Sequence, residues 1–206
     1  MRYLEDAATI PKLVGAYERQ LHDVIEEWIV GAFDSVIDVG SAEGYYAVGL
    51  ALRLPTARVH AFDTDEHARD LCTRMAELNG VGSRIRVRTN CSLDLLREIP
   101  DETRVALLLD CEGCELDLLR PDLVPALKRW PVLVELHEFL NPDIATIVAD
   151  RFGETHTVNI ISEQRSASFS TPELENLRPS QRRLALDERR PGPMRWAYLR
   201  PHSTES

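Results

Sequence analysis

Apolar positions near the amino terminus recur at steps of three and four residues: Ile10, Val14, Tyr17, Leu21, Ile25 and Trp28. That spacing draws one stripe and predicts a single helix, with Thr9 as its cap and Pro11 in its first turn. The period then changes. Ser35–Val39 reads as a strand, Tyr45–Arg53 as a helix stopped at Leu54-Pro55, and Arg58–Phe62 alternates as a second strand ending in Asp63. Glu66–Leu78 reads as a helix closed by Asn79-Gly80. Ile85 to Val87 centres a third strand, and a short helical piece from Leu93 to Ile99 ends at Pro100. The unbroken apolar run Val105–Leu109 predicts a central strand covered on both faces. Residues 116–130 read as helical but interrupted by Pro121 and Pro125. Val132–Leu136 is a fifth strand. A helix runs from Asn141-Pro142 to about Phe152, and strands are expected at 155–161 and 196–199.

Strands alternating with helices predict an α/β fold: a Rossmann-like, doubly wound sheet of seven mostly parallel strands with helices on both faces. One domain over residues 1–206 is expected. It has an N-terminal helical lid (1–34), a ligand-binding core (35–161), a long polar loop or substrate lid (162–193) with one helix near 180–186, and a last strand (194–200).

Charge narrows the partners. The chain of 206 residues carries a net charge of -10, which disfavours nucleic acid and anionic membrane as general partners. The balance reverses locally: arginines 178, 182, 183, 189, 190, 195 and 200 face only Asp187 and Glu188 in the same stretch. No apolar run reaches the ~18 residues of a membrane span, and Met-Arg-Tyr-Leu-Glu-Asp does not begin a signal peptide. The expected location is the cytoplasm, with Cys72, Cys91, Cys111 and Cys114 as reduced thiols. Cys111 and Cys114 form one C-x-x-C, without a second pair or a histidine pair at zinc spacing.

The stretch VIDVGSAEGYYAVGLA, residues 36–51, is a strand, a turn with two glycines, and a helix. Gly40-x-x-x-Gly44 is neither the G-x-G-x-x-G of a dinucleotide site nor a P-loop, since no lysine follows. Gly40 is expected to let a ligand approach the backbone, and Gly44 to let helix pack close to strand. Asp63, nineteen residues after Gly44, can accept both hydroxyls of a ribose. This stretch resembles the first motif of class I S-adenosylmethionine-dependent methyltransferases, with Asp38 as its acid and Ala42 where the family often has glycine. VHAFDTD resembles the second-strand motif. LLLDCEGCELDLL, residues 107–119, is similar to the D-x-E-G-x-E-x-x-x-L signature of FkbM-type methyltransferases, and LVELHE, residues 133–138, resembles their fifth-strand end. The resemblance covers about residues 36–138. It implies S-adenosylmethionine as cofactor. Asp38, Gly40, Ser41 and Ala42 would lie along the methionine moiety beside Gly44 and Asp110. Asp63 would hold the ribose with Thr64 and Asp65 beside it, and Asn90 or Cys91 would face the adenine. Tyr45 and Tyr46 are open between cofactor contact and core packing.

The implied reaction is O-methylation of a small molecule, a natural product or sugar, by in-line transfer. Its general base is then sought at the strand ends. His137 is expected to fill that role, oriented by Asp110 or Glu112. Glu115 is expected to cap the following helix, and Glu135, facing a helix layer, to need a partner. Magnesium held by Asp110, Glu112 and His137 is the alternative mechanism. Tyr17 and Glu18 on the lid, and Arg165, Arg189 and Arg190 in the long loop, are expected to touch substrate. The partner is a small-molecule substrate, with no membrane and nucleic acid disfavoured; a homodimer is compatible with the sequence. RNA methylation, and a non-catalytic binding or partner protein of the same fold, are the alternatives.

Overall fold

Residues 8–163, 169, 171–188, 190, 192 and 194–202 are described in the structure, a computed structural model. Seven strands form one sheet in the order β3-β2-β1-β4-β5-β7-β6. They are β1 Ser35–Val39, β2 Arg58–Phe62, β3 Ile85–Arg88, β4 Val105–Leu109, β5 Val132–Leu136, β6 His156–Ser162 and β7 Arg195–Pro201. Strands β1 to β5 pair in parallel, while β7 runs antiparallel to both β5 and β6. The crossovers are α3 Tyr45–Arg53, α4 Glu66–Leu78, α5 Leu93–Arg97, α6 Glu115–Leu118 and α7 Ile144–Phe152. The expected Rossmann-like, doubly wound α/β sheet of seven mostly parallel strands is the fold observed.

Every residue of β1, β4 and β5 is buried, as central parallel strands covered on both faces must be. Side chains alternate between the two layers. Val36, Ala106, Leu108 and Leu133 join α3 and α4 in one core, with Trp28, Trp196 and Tyr198. Ile37, Val39, Leu107, Leu109, Val132 and Val134 join α6 and α7 in the other. The same period sends Asp38, Asp110 and Glu135 to the α3 side. The register pairs Asp38 with Leu108 and Leu109 with Val134, so Asp110 comes beside Glu135 just past the strand ends. Two carboxylates on neighbouring strands are thereby brought together at one end of the sheet.

Two local expectations are corrected. The N-terminal stripe is not one helix. It divides into α1 Thr9–Leu13, a 3₁₀ turn Arg19–Leu21 and α2 His22–Gly31. Gly15 (φ 71°) and Glu18 (φ 45°) are left-handed between them, and Ile10 is exposed. The turn swings Glu18 inward, where it is fully buried. Residues 116–130 form only α6 and a 3₁₀ turn, Pro125–Lys128, because the prolines lack the N–H a longer helix needs. The long connection from β6 to β7 carries α8 Pro172–Glu175 and α9 Pro179–Ala185. Leu174, Ala185 and Leu186 pack with Ala16, Val14 and Phe169 in a third apolar cluster. The N-terminal segment and this connection thus cover the same end of the sheet together.

Candidate active site

The carboxyl ends of β1, β2 and β4 surround a cavity of about 550 Å³. Order reverses there, since β1 lies between β2 and β4, and open α/β sheets bind ligands at such a point. Gly40, Ala42, Asp63, Thr64, Asp65, Asn90, Cys91, Asp110 and Glu112 all line it. A smaller cavity of about 30 Å³ adjoins it, sharing Gly40, Ala42 and Asp110 and adding Asp38, Ser41, Glu43, Tyr17, Tyr45 and Tyr46. Gly44 lines neither.

The turn is built differently from expectation. A Cβ at Gly40 would stand 1.6 Å from the Asp110 carbonyl oxygen. Glycine is needed there because the β1 and β4 ends touch and φ is 86°, whatever the ligand. At Gly44 (φ 91°) a Cβ would meet Cys72 Sγ at 2.8 Å, so this glycine lets α3 approach α4 rather than a strand. Ala42 itself is left-handed (φ 45°), which explains why the resembling motif often has glycine there. The Asp63 carboxylate holds the turn: Oδ2 accepts from Ala42 N at 2.8 Å and Oδ1 from Asp65 N at 2.9 Å. Each oxygen keeps lone-pair capacity toward the cavity. Asp65 accepts from His67 N at 2.9 Å and so caps α4.

Asp38 is buried, and neither side-chain oxygen has a hydrogen-bond partner of normal geometry. Burial pushes its pKa up to about 7, with only partial relief from the Ala47 amide.

Beyond Asp110 lies a buried charged cluster. Arg190 contacts Glu18, Glu135 at 2.6 Å and Glu188 at 3.0 Å. Its guanidinium lies 5.7 Å from the Tyr17 ring centre, and Tyr46 donates its hydroxyl hydrogen to Glu18. His137 Nδ1 lies 2.6 Å from Glu115 Oε1, and Nε2 lies 3.3 Å from Glu135 Oε2 and 3.5 Å from Asp110 Oδ1. The other Glu115 oxygen accepts from Gly113 N at 2.9 Å. Burial alone would lower the His137 pKa, but hydrogen bonds to Glu115 and Glu135 outweigh it and raise it to about 9. Burial, then the neighbouring Glu135, raises Asp110 well above the carboxylate range. Burial also raises Glu18 to about 7, against the pull of Arg190.

No protein-family profile matches the chain. Over 120 residues it is 33% identical to the release factor glutamine methyltransferase of Chlorobaculum tepidum, covering 57% of this chain. The chain spans 37% of that relative's length. Among solved structures it is similar to an O-methyltransferase of tomaymycin synthesis from Streptomyces achromogenes, solved in complex with S-adenosylmethionine. The TM-score is 0.57 at 14% identity, over 97% of this chain and 92% of that one. The precorrin-6y C5,15-methyltransferase of Geobacter metallireducens gives a TM-score of 0.56 at 11% identity, over 86% and 87%. The chain shares its fold with these two methyltransferases.

Within this methyltransferase fold, three sequence expectations change. His137, protonated near neutral pH by its two carboxylates, is not poised to accept a proton. Its orienting partner at Nδ1 is Glu115, not Asp110 or Glu112; Glu112 is exposed in the turn (φ 49°) and stands outside the Asp110, Glu135 and His137 group. Arg190 neutralises three carboxylates and does not present a free guanidinium to an anionic substrate. Arg165 and Arg189 lie outside the described residues. The local arginine excess is drawn down by acids elsewhere too: Arg195 pairs with Glu138 and Arg200 with Glu27. Cys111 and Cys114, expected as thiols, form a disulfide with Cα atoms 5.7 Å apart. The left-handed turn at Glu112 and Gly113 brings them together beside the large cavity. Sequence reading missed Glu115 and Glu135 as site residues. The alternation through positions 106, 108 and 110 beside 133 and 135 was the signal for Glu135.

Proposed function

We propose that this chain is an S-adenosylmethionine-dependent methyltransferase, FkbM-like, acting on an oxygen of a small molecule such as a natural product or sugar. The observation that carries the reading is Asp38: a buried acid with no hydrogen bond of normal geometry, lining a small cavity that shares Gly40, Ala42 and Asp110 with the larger one. Asp38 suits the ammonium of a methionine moiety, the free lone pairs of Asp63 suit ribose hydroxyls, and Asn90 or Cys91 borders an adenine. The methyltransferase fold and the release factor methyltransferase relative support the reaction class. The meeting of the D-x-E-G-x-E and LVELHE stretches through the Glu115–His137 hydrogen bond supports the finer assignment.

S-adenosylmethionine supplies an electrophilic methyl group with a neutral leaving group. The chain must therefore align an acceptor hydroxyl and take its proton. Asp110 lines both cavities and is placed to hold the acceptor hydroxyl; burial beside Glu135 raises its pKa, so it takes the proton only in its ionised form and turnover should rise with pH. His137 and Arg190 hold Glu135 from opposite sides and keep it ionised. The N-terminal segment and the β6–β7 connection close the site from water, with Tyr17 on its wall; Glu18, expected to touch substrate, is buried against Arg190 and Tyr46 and lines neither cavity. One domain and cytoplasmic residence belong to the same reading.

The test is thermal denaturation with S-adenosylhomocysteine and, separately, NAD. At 100 times its Kd, a ligand of the folded state stabilises by about 2.7 kcal/mol. Stabilisation by S-adenosylhomocysteine supports the reading. Stabilisation by NAD alone overturns it.

A further inference from the structure

We propose that Asp110, Glu135 and His137 form a binding site for one divalent first-row cation, of the Zn²⁺ or Mn²⁺ kind. One ligand atom from each residue lies within 4.8 Å of the other two. His137 Nε2 stands 3.3 Å from Glu135 Oε2 and 3.5 Å from Asp110 Oδ1. Two ligands held at about 2.1 Å from one ion stand about 3.0 Å apart in octahedral geometry and about 3.4 Å apart in tetrahedral geometry. The two separations from His137 Nε2 are those of ligands sharing an ion.

The surroundings fit the same role. The other nitrogen of His137 is fixed by the buried carboxylate of Glu115 at 2.6 Å, and that carboxylate is itself held by the Gly113 amide. A carboxylate behind a histidine is the arrangement that orients a metal-bound imidazole. The other oxygen of Glu135 is taken by Arg190, so Oε2 is the one turned to the site. Five carboxylates (Glu18, Asp110, Glu115, Glu135 and Glu188) surround Arg190 and His137, and a divalent ion that displaces the proton from His137 Nε2 supplies positive charge among them. Asp110 is 28% exposed and lines both cavities, so the open side of the ion faces the substrate space. One nitrogen and two oxygens favour a borderline ion over the magnesium expected from Asp110, Glu112 and His137.

This deepens the proposed function and rests on it only for the ion's role. There the ion would bind the acceptor oxygen, lower its pKa and relieve Asp110 of the proton. Binding itself is testable without cofactor. Full-length protein is stripped with a chelator, dialysed and titrated with Zn²⁺ by calorimetry and with Co²⁺ by absorption. One saturating equivalent is expected, with cobalt d–d bands and no thiolate charge transfer. Glu115→Gln should weaken binding by about 10- to 100-fold. His137→Ala should abolish the equivalent, and Asp110→Asn, at a partly exposed position, gives a second reading if His137→Ala does not fold by circular dichroism. No saturable binding, full binding by the ligand variants, or charge transfer from cysteine overturns the site. None of these outcomes bears on stabilisation by S-adenosylhomocysteine, which tests the methyltransferase reading separately.

Discussion

Replacing Asp38 by Asn should make the ligand-free protein less sensitive to alkali while impairing cofactor binding. The Asp38 pKa rises on folding from 3.8 to about 7, chiefly through burial. Because the folded value lies above the unfolded one, folding takes up a proton between them. The stability this contributes is complete below about pH 4 and is lost as pH rises to 7. At about 1.4 kcal/mol per pH unit, wild type should lose about 2–3 kcal/mol through this group between pH 5 and pH 8. The variant, which cannot ionise, should lose nothing through it. Urea denaturation of both proteins at the two pH values isolates the difference, because any packing defect of the asparagine is common to both. The same variant should bind S-adenosylhomocysteine about 100-fold more weakly, since a charge-assisted hydrogen bond is lost in a buried place. An identical pH dependence in the two proteins would refute the claim that burial raises the Asp38 pKa. Unchanged affinity would refute its role toward the ligand.

Other substitutions test other parts of the account. Ala42→Gly should raise stability by about 0.5–1 kcal/mol, by relieving the left-handed alanine (φ 45°), read as a rise in Tm. Gly40→Ala should cost more than about 3 kcal/mol or prevent folding, since its Cβ would overlap the Asp110 carbonyl; near-wild-type denaturation would show that the β1 and β4 ends can part. Arg190→Met should destabilise by about 3–5 kcal/mol, because Glu18 and Glu135 lose their shared cation, and urea midpoints measure it. Asp110→Asn should reduce kcat by about 10²- to 10⁴-fold with affinity for S-adenosylhomocysteine nearly kept; unchanged turnover would remove Asp110 from the reaction.

The sheet could be read from the chain because its signals are local. The unbroken apolar run 105–109, the alternation at 58–62 and the prolines and glycines at element ends each report on a few neighbouring residues. The cavity lining was legible for the same reason: Asp63, Thr64, Asn90 and Cys91 each follow directly on a strand end. The charged cluster was not, because its contacts join residues far apart in the chain. Arg190 meets Glu18 across 172 positions, and Glu115 meets His137 across 22. A histidine at a strand end suggests a base until the carboxylates beside it are known; two of them change its charge state. The N-terminal stripe misled because Gly15 and Glu18 bend a periodic segment whose purpose is to carry Glu18 and Tyr17 inward.

The measurement that tests the central claim most directly is a crystal structure of the full chain with S-adenosylhomocysteine. The account predicts the ribose hydroxyls on Asp63, the methionine ammonium within hydrogen-bond distance of Asp38, and the adenine against Asn90 or Cys91. A ligand bound elsewhere, or one that leaves Asp38 unpartnered, would contradict it.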